Sequence, residues 1–90
     1  MRNAFVYELI DPRTRRRAYI GCTTNPNLRI RQHLAGACKT TREWVAELRG
    51  ARLYPVMRIK RTRTEDRAFK LERSWIRAAK ARGEEILNRN

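Results

Sequence analysis

The chain has 90 residues, enough for one small domain with a single modest core and too few for a second. Lysine and arginine total 22 against 9 acidic residues, a net charge of +13, while an apolar fraction of 41% is too high for a disordered polar chain. We expect neither a membrane span nor a secretory signal peptide, because the apolar runs are short and the N-terminal one soon meets charges.

Charge and cysteine usage narrow the class of protein. Arginine dominates the basic residues, and its planar guanidinium binds phosphate through two donors, so the composition favours a nucleic-acid partner. Charge alone does not separate a catalyst from a binding protein. Cys22 and Cys38 form no CxxC pair, and with His33 they lack the spacing of a zinc site. They are typical of reduced thiols, which predicts a cytoplasmic protein.

The first two predicted elements form a hairpin. Residues Ala4–Ile10 are rich in β-formers and apolar on both pleat faces, which is typical of a central strand. Asp11-Pro12 opens a turn, and residues 17–21 form a second strand. The hairpin tip carries the basic run that we expect to contact phosphates, made of Arg13, Arg15, Arg16 and Arg17.

Two helices should follow. Asn25 is a helix N-cap and Pro26 suits the first helical position, so a helix is predicted to about residue 35, before Gly36. Thr40 with Glu43 has the spacing of a capping box for a second helix that ends near Gly50. Its inward side chains would be Trp44, Val45 and Leu48.

A third strand and a third helix complete the pattern. Residues 53–61 read as a strand with Pro55 near its start, a placement that suits an edge. Thr64 caps a helix ending near Gly83. Its apolar stripe is Ala68, Leu71, Trp75, Ile76 and Ala79. The order ββααβα predicts a single domain over residues 1–90, a small α/β protein of the α+β sandwich kind with a three-stranded, mainly antiparallel sheet.

Several residues on this frame are chemically suggestive. Tyr7 and Tyr19 lie on strands that pair, so both phenols can reach one face; two strand tyrosines alone are more commonly core aromatics. Arg29 and His33 are four residues apart on one helix face, near Tyr19. The alternative for them is a solvated basic face, which suits Arg31 well, and we place Arg31 among the phosphate-contacting residues.

Glu72 is the sharpest single feature. It interrupts the row formed by Ala68 and Ile76 at helical spacing, and a carboxylate in an apolar stripe is costly to bury unless it is paired or bound to a cation. One alternative is a salt bridge to an arginine. The other is a metal ligand, since Mg²⁺ is commonly held by one or two carboxylates with water and phosphate.

The motifs resemble those of the GIY-YIG nuclease family across nearly the whole chain. Tyr7 matches the tyrosine of the first motif, and Tyr19-Ile20-Gly21 matches the second letter for letter. The family's arginine, the histidine or tyrosine that many members have one helical turn later, the helical glutamate and the terminal asparagine correspond to Arg29, His33, Glu72 and Asn88. One departure stands out: Phe5 and Val6 replace the first motif's glycine and isoleucine, and a phenylalanine fills space that the family leaves open.

The resemblance implies a Mg²⁺-dependent endonuclease, with Mn²⁺ as a substitute, that hydrolyses DNA phosphodiesters. In this interpretation Glu72 holds the metal, Arg29 neutralises charge on the phosphate, Tyr7 activates water and His33 relays the proton. Because a phenol's ordinary pKa is about 10, we expect Arg29 or the metal to lower that of Tyr7. Tyr19 orients the phosphate or supports the base.

Asn88 is expected to tie the tail to the site through its amide; the alternative is an ordinary terminal residue. Specificity would come from this domain, from a homodimer or from a separate targeting partner. The competing hypothesis is a non-catalytic nucleic-acid-binding module that retains the nuclease fold, supported by Phe5. A basic protein that binds an acidic partner would not need Glu72 inside a helix stripe.

Overall fold

A computed structural model of the chain describes residues 3–88. The described elements are β1 (Ala4–Ile10), β2 (Arg17–Thr23), α1 (Pro26–Leu34), α2 (Arg42–Gly50), β3 (Val56–Thr62) and α3 (Glu65–Ala81). Their order confirms the predicted ββααβα fold. No helix among the described residues is both long enough and apolar enough to cross a bilayer.

The three strands form one antiparallel sheet in the order β2-β1-β3, which confirms the central position predicted for β1. Val6 of β1 lies opposite Cys22 on one side and Lys60 on the other. The third strand begins at Val56, three residues later than predicted, directly after the buried Pro55. Proline has no N–H for the ladder, so the strand starts where pairing becomes continuous.

The face of the sheet that α3 covers holds the main hydrophobic cluster. Its strand members are Ala4, Val6 and Ile20, which alternate with residues of the opposite face because successive side chains point apart. The predicted stripe of α3 supplies the helical half: Ala68, Ile76 and Ala79 are buried, and Leu71 and Trp75 pack partly buried against the cluster. This contact fixes α3 across the sheet.

The opposite face carries the aromatic and polar interior. Tyr7 and Leu9 of β1 are buried there, and α2 contributes the buried Val45 and Leu48 as predicted. Trp44 is only partly buried, and its indole Nε1 donates to Asp11 Oδ2 at 3.0 Å. Trp44 therefore links α2 to the turn after β1, because a buried indole N–H needs an acceptor.

The caps of α1 and α3 follow the sequence, whereas that of α2 does not. The Asn25 side chain accepts from Leu28 N, and the Thr64 side chain accepts from Arg67 N. The capping box predicted at Thr40 was wrong: the N-cap of α2 is Thr41, whose side chain makes no capping hydrogen bond. The Thr41 hydroxyl has another partner.

The C-terminal tail covers the outer edge of β2. Leu87 N donates to Ala18 O at 2.7 Å, and the amide of Asn88 bonds both backbone groups of Ile20: Oδ1 accepts from Ile20 N at 3.0 Å, and Nδ2 donates to Ile20 O at 2.6 Å. An unpaired strand edge exposes donors and acceptors, and the tail satisfies them here.

Candidate active site

The site begins with a close approach between Tyr7 and Gly21, which face each other across β1 and β2. A Cβ built on Gly21 would lie 2.5 Å from Cζ and from Oη of Tyr7, closer than any real side-chain contact. Only glycine leaves room for the phenol at this position. The glycine of the second motif is thus explained by the ring of the first-motif tyrosine.

A continuous hydrogen-bonded chain runs inward from the phenol of Tyr7. Its hydroxyl lies 2.8 Å from His33 Nε2, and His33 Nδ1 lies 2.7 Å from Thr41 Oγ1. All three residues are at most 1% exposed. The ring of Tyr19 completes an aromatic cluster, with its centroid 6.2 Å from that of Tyr7 and 5.4 Å from that of His33. The site thus holds both predicted tyrosines and the histidine in contact.

The imidazole of His33 is neutral at neutral pH. Burial and the nearby charge of Arg29 lower its pKa to about 4. A neutral imidazole has one donor and one acceptor nitrogen. If the phenol of Tyr7 donates to Nε2, then Nδ1 carries the proton and donates to Thr41 Oγ1. His33 can therefore accept a proton at Nε2.

Cys38 lies beside this chain, and its backbone carbonyl accepts from Thr41 N at 3.3 Å. Burial alone would raise the pKa of the Cys38 thiol, but hydrogen bonds from the Thr41 hydroxyl and from the backbone of Thr40 and Thr41 lower it on balance. The Thr41 hydroxyl lies 2.7 Å from His33 Nδ1. The side chain of Thr41 does not cap α2. Its hydroxyl orients the imidazole of His33 instead.

Both phenols stay protonated in the protein alone. Burial and neighbouring Tyr19 raise the pKa of Tyr7, and the opposing charge of Arg29 does not compensate. Burial is also the main cause that raises the pKa of Tyr19. The lowering of the Tyr7 pKa that we expected from Arg29 is thus outweighed by desolvation, because a buried phenolate loses its hydration.

Arg29 brings an unsatisfied donor to the site. It is half-buried on α1, its charge acts on Tyr7, Tyr19 and His33, and its Nη1 donates to Gln32 Oε1 at 3.3 Å. The Arg29 Nε is buried and has no hydrogen-bond partner among the described residues. Leaving a buried donor unsatisfied costs about 1–3 kcal/mol of stability, and more when the donor is charged. The Arg29 Nε is therefore available to an acceptor from outside the chain.

Glu72 lies at the rim of the site. It is half-buried on α3 between the buried Ala68 and Ile76, and it forms no ion pair with any described residue, so the salt-bridge alternative has no partner here. Its neighbour is Cys22: burial, then the charge of Glu72 and a hydrogen bond to it, raise the pKa of the Cys22 thiol to about 11.

The donor set suits a hydrated hard cation. No group of three or more His, Cys, Asp or Glu residues that could hold a metal ion occurs in residues 3–88. A protein-only cage is therefore not built among them, but Mg²⁺ commonly takes one carboxylate and completes its octahedron with water and substrate phosphate. Glu72, a half-buried carboxylate without an ion pair among the described residues, fits that mode.

Asn88 reaches the site through the backbone. Its two bonds to Ile20 hold β2 at the residue between Tyr19 and Gly21. The structure places its amide on the outer edge of β2. Asn88 therefore positions the strand that carries the second motif.

The basic residues predicted to contact phosphates separate into two groups. Arg13 pairs with Asp11 at 2.8 Å and with Glu47 at 2.7 Å, and Arg17 pairs with Glu8 and Glu84. These two guanidinium groups tie the hairpin to α2 and to the tail. The exposed members, which form no ion pair with a described residue, are Arg15, Arg16 and Arg31.

The comparisons with known proteins decide the family. The model of the GIY-YIG catalytic domain matches residues 3–85. The chain belongs to the GIY-YIG family. This GIY-YIG domain is therefore of a nuclease type, and Tyr7, Tyr19, Arg29, His33 and Glu72 all fall inside the matched stretch, whereas Asn88 lies beyond it. Neither curated proteins nor solved structures gave a significant match.

Sequence reasoning missed Thr41 and the cysteines of this GIY-YIG domain. A threonine eight residues after a histidine is no recognisable motif, and only the fold brings the two together. Cys22 follows Gly21 directly, and strand alternation puts it on the α3 face, which is the one sequence feature that could have placed it near Glu72.

Proposed function

We propose that this GIY-YIG domain is a Mg²⁺-dependent endonuclease that hydrolyses DNA phosphodiesters. The observation that carries the proposal is the buried, unpartnered Nε of Arg29 beside two phenols, a neutral imidazole and the carboxylate of Glu72. A phosphate oxygen is the acceptor that a guanidinium prefers. An arginine aimed at the scissile phosphate would stabilise the charge that develops on its non-bridging oxygens.

Glu72 would hold the cation, which is Mg²⁺ or in its place Mn²⁺. When bound, such a cation acts as a Lewis acid on the phosphate and the leaving oxygen. Cys22 is a neighbour of the same carboxylate. The role of Glu72 in this proposal is therefore electrostatic and does not require the carboxylate to change protonation.

Tyr7 and His33 would move the proton. As the attacking water gives a proton to the phenol oxygen of Tyr7, the phenol passes its own proton to His33 Nε2, 2.8 Å away. The water oxygen forms a bond to phosphorus, the bond to the 3′ oxygen breaks, and solvent protonates that oxygen. This concerted transfer avoids a free phenolate, which the raised pKa of Tyr7 disfavours. Tyr19 would orient the phosphate.

The alternative, a nucleic-acid-binding module without activity, has one observation in its favour. The upward shift of the Tyr7 pKa means that the protein alone does not prepare a base. The two hypotheses differ in a simple assay: supercoiled plasmid incubated with the purified protein and Mg²⁺, with and without chelator. We expect nicking that the chelator abolishes, and nicks that ligase reseals because the ends are 5′ phosphate and 3′ hydroxyl. Retardation of the plasmid without nicking, with either Mg²⁺ or Mn²⁺, would favour the binding module.

The two free thiols suit a reducing compartment, so we propose that the enzyme acts in the cytoplasm. A homodimer or a separate targeting partner would add the sequence specificity that a domain of this size lacks.

A further inference from the structure

A basic groove lies between the end of β3 and the start of α3, on the far side of α3 from Glu72. Its cationic lining is Lys60, Arg61, Arg63, Arg67 and Lys70. The one carboxylate in the lining is Asp66, which pairs with Lys70 at 3.1 Å. Such a ratio of cations to carboxylates leaves a concentrated positive potential at the surface.

The hairpin tip keeps fewer unpaired cations than the basic groove, because only Arg15 and Arg16 of its four arginines form no ion pair with a described residue. Arg13 and Arg17 of the hairpin are neutralised by carboxylates within the fold. Lys60, Arg61 and Arg63 are exposed and form no ion pair with a described residue. Free guanidinium and ammonium groups are available to a polyanion without first breaking an internal pair.

The basic groove also lies at the end of the sheet where β1 begins, which is the end that Arg29 adjoins. Ala4 pairs with Thr62, and the next residue of β1, Phe5, pairs with Thr23 beside the site. A hollow bounded by Cys22, Thr23 and Arg29 flanks the first turns of α3 on that side. The hairpin tip lies at the opposite end, about 20 Å away along strands of seven residues.

We propose that the basic groove binds the phosphate backbone of the DNA duplex next to the scissile bond. The N-terminal half of α3 then stands between two anionic contacts, the phosphate at Arg29 and further phosphates at Lys60, Arg61, Arg63 and Arg67. The inference rests on the proposed DNA substrate, and it moves the main backbone contact from the hairpin tip to the β3–α3 side. These are positioning contacts that carry no sequence readout.

The test is equilibrium binding of a short fluorescein-labelled duplex in chelator, so that no cleavage intervenes. Changing Lys60, Arg61, Arg63 and Arg67 together to Gln should flatten the slope of log affinity against log salt by about 3 to 4, since each phosphate contact contributes about 0.9. The matched control changes four exposed cations elsewhere to Gln: Lys39, Arg52, Arg73 and Arg77. Its slope should change by less than about 1. Equal changes in both variants, or an unchanged slope in the groove variant, would overturn the proposal.

A second variant separates phosphate binding from protection of the sheet edge. Cations on an exposed edge strand also prevent pairing with other chains. The double variant Arg61→Glu, Arg63→Glu keeps that edge charged but repels phosphate, so it should stay monodisperse in size-exclusion chromatography and lose affinity more steeply than the Gln variant. Retained affinity would show that the cations only guard the edge. Because binding is measured without Mg²⁺, this outcome is independent of whether the wild-type protein nicks plasmid.

Discussion

Tyr7 Oη and His33 Nε2 are hydrogen-bonded at 2.8 Å across 26 residues of sequence, and both residues are only 1% exposed. The bond joins the central strand to α1 and makes the one buried imidazole the partner of the one fully buried phenol. Because the pKa of His33 is lowered to about 4, the pair holds a neutral acceptor at neutral pH. Thr41 contacts the imidazole of this pair, and Gly21 leaves room for its phenol.

Thr41 should control the tautomer of His33. Thr41→Val keeps the shape but removes the acceptor at Nδ1, which leaves a buried donor unsatisfied and should cost about 1–3 kcal/mol of unfolding free energy. Nitrogen NMR of the imidazole should show the proton on Nδ1 in the wild type and a redistribution in Thr41→Val. Thr41→Ser, the matched control, retains the hydroxyl and should preserve both. If the imidazole of His33 has the same tautomer in Thr41→Val as in the wild type, Thr41 does not control that tautomer.

Gly21→Ala should destabilise the protein by about 1–3 kcal/mol, because the new Cβ overlaps the Tyr7 ring at 2.5 Å and forces that ring to move. Gly50→Ala is the control, since nothing lies within 4 Å of a Cβ there and it sits in α2. Thermal denaturation of the two variants compares them directly. Equal melting temperatures would mean that Tyr7 relaxes without penalty.

The stability of the protein should fall as the pH drops from about 6.5 towards about 4. The folded-state pKa of His33 is about 4 and its unfolded value about 6.5, so the unfolded chain binds more protons in this window. The full effect is on the order of 3 kcal/mol. His33→Gln should lack this slope in urea titrations. The pKa of Asp11 is lowered by its hydrogen bonds to Arg13, so its contribution is lost only further into acid. If the unfolding free energy of His33→Gln still fell with pH in this window, carboxylates would be responsible for the pH dependence.

Removing the hydroxyl of Tyr7 and removing that of Tyr19 should have different effects on the single-turnover rate. Tyr7→Phe removes the hydroxyl bonded to His33 and should lower the rate by ~10²–10⁴-fold. Tyr19→Phe removes a hydroxyl that lies outside the hydrogen-bonded chain of Tyr7, His33 and Thr41. It should reduce the rate less, with an unaltered pH–rate profile, because positioning does not titrate. The reverse order would exchange the roles of the two residues. Full activity in both variants would mean that the two tyrosines serve only to pack the core.

The sequence predicted the order of the strands and helices better than the hydrogen bonds within the candidate site. Strand alternation and helical spacing suffice to place Val6 opposite α3 and to put Arg29 near His33, since both are local periodicities. The partner of His33 depends on a loop that returns Thr41 to α1, and that is tertiary information. For the same reason the sequence did not show that carboxylates of β1, α2 and the tail neutralise Arg13 and Arg17.

Metal-assisted hydrolysis at Glu72 is tested most directly by single-turnover cleavage of a labelled duplex over a range of Mg²⁺ concentrations. Glu72→Gln keeps the size of the side chain and should abolish cleavage at every Mg²⁺ concentration, while melting temperature and duplex affinity in chelator stay near wild type. Glu43→Gln, an exposed carboxylate on α2, is the matched control and should cleave at the wild-type rate. Cleavage by Glu72→Gln at the wild-type rate, with the same Mg²⁺ dependence, would contradict the account.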